Sequence, residues 1–260
     1  MMDKDFIYVV CFYWQGDRWQ EGTVPDYSVT EDYSYKKHLN RVGTVSRTLA
    51  TQYITNLYRG VAQHIHIPFK FICFTNEEVE VDPNIEIREL PMITSIGVLP
   101  RMYMFSEKSG LFGHQVLSLD LDIIIVGDLD KIAGYEGLFC TRRSWMIKEH
   151  FQLDGDIMSF RAGQENEKRF WDPIVRNTTR IINLTCGRER SWVREVTGGI
   201  ADTWDEVAPH QVVSYKKHVK GLSAPPKNAT IISCHGHPRP HQIKEEWIQQ
   251  YWMGNVPQLS

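Results

Sequence analysis

The run VLSLDLDIIIVGDLD, residues 116 to 130, constrains the fold more than any other part of the chain. Its apolar residues, Ile123, Ile124, Ile125 and Val126 among them, need burial between layers, yet Asp120 and Asp122 interrupt the run where a buried strand should end. Two further runs, FIYVVCFYW at 6–14 and FKFICFT at 69–75, read as buried strands. Between them Leu49, Tyr53, Leu57, Val61 and Ile65 recur every four residues beside Ile54 and Ala62, an amphipathic helix that Pro68 ends. IEIREL at 85–90 alternates as a half-exposed strand, and 101–110 reads as a helix stopped by Gly110. Strands alternating with helices specify an α/β fold, with a mostly parallel central sheet flanked by helices.

Beyond Phe139 the pattern predicts strands at 144–148, 156–160 and 230–234, and helices at 163–172, 189–196 and 242–252. The stretch 15–43 reads as a long loop, of a length that is usually functional. No Pro/Gly/Ser-rich linker divides the 260 residues, so a single domain is expected. Lys and Arg number 29 against 32 Asp and Glu, which leaves no basic field for a nucleic acid. No stretch reaches the roughly 18 apolar residues of a membrane span. The five cysteines are widely spaced without a CxxC pair, so neither a disulfide framework nor a zinc ribbon is indicated and a cytoplasmic location is expected.

In a parallel sheet, ligands bind beyond the carboxyl ends of the strands. With 116–119 as strand, Asp120 and Asp122 stand at such an end, and a strand period of two points both to one face. Two neighbouring carboxylates repel, and burying either without compensation is costly. A divalent cation relieves both problems, since oxygen ligands suit Mg²⁺ or Mn²⁺ and substrate phosphates complete the shell. The alternative is that Asp120 caps a turn and Asp122 is a solvated loop residue.

LSLDLDIIIVGDLD resembles the D-x-D strand of nucleotide-sugar-dependent glycosyltransferases with a GT-A fold, especially the glycogenin- and galactosyltransferase-like families. Residues 53–76 (YITNLYRGVAQHIHIPFKFICFTN) resemble the helix and strand that follow the first strand there. PRMYMF at 100–105 is similar to a segment with a basic residue before an aromatic helix, and HGHPRP at 235–240 to a C-terminal H-G-x-P-K-P. The four segments occur in the family's order. Two departures stand out: DGDIMSF at 154–160 where relatives often read N-S-S-V-M, and Ser233 three residues before Gly236, where the ligand histidine of the glycogenin-like pattern lies.

The resemblance implies a divalent-metal-dependent glycosyltransferase that takes a nucleoside-diphosphate sugar, with UDP the expected nucleotide. The acceptor, a saccharide, a protein or a lipid-linked group, is left open. Residues 1–135 are expected to form the nucleotide-binding half and 136–260 the acceptor half with the C-terminal loop and helix. Mn²⁺ or Mg²⁺ is the expected cofactor, with Asp122 and Asp120 as ligands and His235 as a third, and Asp120 also near the ribose. Arg239 takes the place of the family's Lys and is expected to clamp the diphosphate. Arg101 is a second candidate for diphosphate or base, while Phe12, Tyr13 and Asn76 are expected near the nucleotide. Asp154, Asp156 and Glu189 are the candidates for the catalytic and sugar-binding acids. A sugar nucleotidyltransferase is the competing enzyme class, although CFYWQGDRW lacks its Gly-rich, basic signature. A non-catalytic sugar- or nucleotide-binding domain is the other competitor.

Overall fold

Sequential strands β1 (Ile7–Tyr13), β2 (Phe69–Thr75) and β3 (Ile85–Glu89) are laid side by side in parallel, so the chain builds outward from β1. It then crosses back to place β4 (Gln115–Leu119) in parallel on the other flank of β1. These relationships are seen in a computed structural model, which describes residues 6–14, 47–91, 97–145, 153–185, 187–198 and 201–255. The expected loop at 15–43 lies outside these residues.

The seven-stranded sheet has the order β3-β2-β1-β4-β7-β6-β8, where β6 is Phe139–Arg143, β7 is Leu153–Arg161 and β8 is Asp202–Thr203. Only β7 runs against its neighbours. Helix α1 (Arg47–His64) covers one face through Ala50, Ile54, Leu57 and Val61, all of which are buried. The other face packs on Leu99–Phe105, Phe170, Ile174 and helix α2 (Glu189–Thr197). Burial on both faces explains the near-continuous apolar reading of β1 and β2.

A second, three-stranded sheet has the order β5-β10-β9, from Ile123–Ile125, Ile231–Ser233 and Val212–Ser214. The apolar run at 116–126 is therefore two strands in two sheets, joined by a turn at Leu121 and Asp122. The period-two argument fails at this turn, which frees Asp120 and Asp122 to face different partners. Helix α3 (Glu246–Met253) closes the small sheet through Ile248 and Trp252.

Candidate active site

Strand order reverses between β1 and β4, and such a switch point opens a crevice beyond the carboxyl ends of the two strands. Tyr13 ends β1 there and Asp120 follows the end of β4. The Asp120 amide donates to the Asp156 carbonyl at 2.8 Å, so the acidic turn is tied to β7. The Cys234 amide donates to the Asp122 carbonyl at 3.1 Å, which brings the end of β10 to the same place.

Each carboxylate of the pair has its own arginine. Arg101 Nη1 lies 2.7 Å from Asp120 Oδ1 and 3.0 Å from Glu189 Oε1, and its Nη2 donates to Ser118 Oγ at 3.3 Å. Pro100 starts the turn that delivers Arg101, and the guanidinium is only 4% exposed. Arg239, on the loop after β10, donates through Nη1 to Asp122 Oδ2.

A second network lies beside the first. Arg142 grips Asp156 with Nε 2.9 Å from Oδ1 and Nη2 2.8 Å from Oδ2, and the same Nη2 is 3.0 Å from Asp154. Ser233 Oγ donates to Asp156 Oδ2 at 2.7 Å. Arg190 Nη1 is 3.7 Å from Asp154, and the Arg142 guanidinium lies over the Trp145 ring at 3.8 Å. Gly155 allows the close approach of α2, because a Cβ there would stand 2.6 Å from Glu189 Oε1.

Five carboxylates thus meet four guanidinium groups, and the imbalance shows in their protonation. Burial, and then the charge of Asp120, push the Asp122 carboxyl up to about 7 in spite of Arg239. Burial raises Glu189 to about 7 as well, with Asp120 adding to the shift against Arg101. Burial also opposes the charge of Asp156, but Arg142 and Ser233 outweigh it and hold that carboxyl below the ordinary range.

Of the remaining residues expected at the site, Phe12 is buried and stacks on Phe74 at 5.3 Å, with the Arg101 guanidinium 5.8 Å from its ring. Tyr13 is buried and Asn76 exposed, each at the carboxyl end of its strand. His235 lies on the loop after β10. Its Nε2 is 2.9 Å from Ser214 Oγ and its ring packs against Trp145 at 5.4 Å, while burial lowers its basicity. Ser233, at the end of β10, faces Asp156. Arg142 and Ser118 were not singled out from the sequence; two acids in the apolar strand DGDIMSF were the signal that a cation had to be near.

The Asp120–Asp122 pair suits a divalent cation in its chemistry, with oxygen donors and negative charge in excess. Among the described residues, the set of three groups whose ligand atoms lie within 4.8 Å of one another is elsewhere: His66, Asp128 and Asp130, beyond the far end of β5. Asp130 Oδ1 there accepts from the His66 amide at 2.7 Å, so the cluster also serves to anchor a turn.

No family model and no curated protein sequence matches the chain. Solved structures do. The galactosyltransferase LgtC, in complex with donor and acceptor sugar analogues, superposes with a TM-score of 0.59 at 8% identity, covering 97% of this chain and 98% of that one. The fold is GT-A. The glycosyltransferase GlyE of Streptococcus pneumoniae TIGR4 aligns with this GT-A chain at a TM-score of 0.57 and 12% identity, over 96% of the chain. The bifunctional glycosyltransferase WbbM gives 0.59 and 10% over 99%. The chain spans 60% of the length of GlyE and 51% of WbbM.

Proposed function

We propose that the protein transfers a sugar from a nucleoside-diphosphate sugar, with UDP the expected nucleotide, to an acceptor bound beside β7 and α2. The observation that carries this reading is the placement of Asp120 and Asp122 at the switch point of a GT-A sheet, between Arg101 and Arg239. Asp122 and Asp120 are the residues to hold Mn²⁺ or Mg²⁺, and the bound ion supplies Lewis-acid stabilisation of the leaving diphosphate. The arginine on the rim adds bidentate donors for phosphate oxygens. Tyr13 and Asn76 stand at the strand ends where the nucleoside belongs, whereas Phe12 supports Arg101 from below. Asp154 and Glu189 border the space left for the sugar and acceptor, and Asp156, fully engaged with Arg142 and Ser233, holds the floor. No helix among the described residues is long and apolar enough to cross a membrane.

A screen of UDP- and GDP-sugars for release of the nucleoside diphosphate, with Mn²⁺ and with EDTA, tests the proposal. Release from at least one donor that EDTA suppresses is the expected outcome. Tight nucleotide binding without release from any donor would favour a binding domain of the same fold.

A further inference from the structure

Asp122 is the more deeply buried of the acidic pair, with a side chain 10% exposed, and its partner is a side chain 117 residues away. That partner, Arg239, is 39% exposed. Its backbone is held firmly. The Arg239 amide donates to Gln242 Oε1 at 2.9 Å, and His241 Nδ1 meets Tyr53 Oη of α1 at 2.6 Å. A fixed backbone with a long, solvent-facing side chain lets the guanidinium change partners without moving the loop. Arg101 has no such freedom, since it is buried between Asp120, Glu189 and Ser118.

A guanidinium and a divalent cation on one carboxylate repel each other, and the divalent ion has twice the charge to offer. We propose that Arg239 is the resting counter-ion of Asp122, that a divalent cation must displace it, and that the released guanidinium turns to the donor's diphosphate. The inference rests on the donor reading above. It makes cation and donor binding cooperative: the ion alone must evict Arg239 into water, whereas in the presence of donor the evicted arginine gains two phosphate groups. By linkage the donor strengthens cation binding by the same factor.

The test measures Mn²⁺ affinity without nucleotide, from the electron paramagnetic resonance of free Mn²⁺, for the full chain and for Arg239→Gln and Arg239→Ala. Both variants should bind Mn²⁺ about tenfold more tightly than the parent, a gain that a merely structural arginine would not produce. At saturating Mn²⁺ both should bind UDP about tenfold more weakly, and Asp122→Asn should leave the free Mn²⁺ signal undiminished, as if no protein were present. Thermal unfolding checks that each variant is folded, with Arg239→Lys as the conservative control. Equal or weaker Mn²⁺ binding by the Gln and Ala variants overturns the proposal, as does an absence of Mn²⁺ binding by every form. Tighter Mn²⁺ binding by the variants, with neither UDP nor GDP bound by any form, upholds the competition and removes the donor reading instead.

Discussion

Arg142 and Asp156 form a buried two-point clasp, Nε on one carboxylate oxygen at 2.9 Å and Nη2 on the other at 2.8 Å, across the antiparallel pair β6 and β7. Arg142 is 3% and Asp156 8% exposed at the side chain, so neither has water to fall back on. Replacing Arg142 by Met keeps the volume and strands Asp156 together with Asp154. The expected loss is about 3–5 kcal/mol of stability, read from chemical denaturation. A loss under about 1 kcal/mol would mean that the clasp is solvated in solution.

Glu189 makes stability depend on pH. Its carboxyl is held near 7 in the folded chain, above the 4.5 of an unperturbed glutamate, so the folded state keeps a proton that the unfolded state has released. Its contribution is therefore favourable below about 4.5 and is lost as pH rises toward 7. Glu189→Gln should be more stable than the parent at pH 8 and lose that advantage at pH 4. Melting temperatures across this range decide it, and parallel curves for the two proteins would contradict the assignment.

Gly155 is a third point of sensitivity. A methyl group there meets Glu189 Oε1 at 2.6 Å and Cγ at 2.9 Å, so Gly155→Ala must displace the Glu189 side chain. We expect a loss of about 1–3 kcal/mol and a fall in turnover, because Glu189 shares the Arg101 guanidinium with Asp120. Unchanged turnover would show that Glu189 takes no part in the reaction.

Asp122→Asn preserves shape and removes the charge. Turnover should fall by at least about a hundredfold, some 2.7 kcal/mol of transition-state stabilisation, while the melting temperature at pH 8 is kept or raised. Near-parental turnover would reduce Asp122 to a turn residue.

Much of the nucleotide side was legible because its signals are local. The expected strands 6–14, 69–75 and 85–90 appear as Ile7–Tyr13, Phe69–Thr75 and Ile85–Glu89, and the helix to Ile65 as Arg47–His64. The helix expected at 101–110 is instead two short 3₁₀ turns, Leu99–Phe105 and Glu107–Ser109. Nearly every residue of the first is buried, so no polar face existed to reveal a period. Most of the strand expected at 144–148 lies outside the described residues, and the strand Phe139–Arg143 just before it escaped notice because the buried Arg142 reads as a surface residue until its carboxylates are known. Pairings such as Arg101 with Glu189 and Arg239 with Asp122 span 88 and 117 residues, and no window of sequence contains both ends. The same limit hid the contact of His235 with Ser214, which depends on where β9 places that serine.

The turn at Leu121 and Asp122 is also a mechanical seam. β4 ends in the large sheet and β5 begins the small one, and the two sheets are stitched near the seam by the Cys234 amide on Asp122 and the Ser233 hydroxyl on Asp156. On the proposed reading, a donor lodged there would bear on both sheets at once and be felt along β5 and β10 as well as within the cleft. Amides of Ile124 and Ile232, paired across that small sheet, would then become strain gauges whose hydrogen exchange slows when the cleft fills.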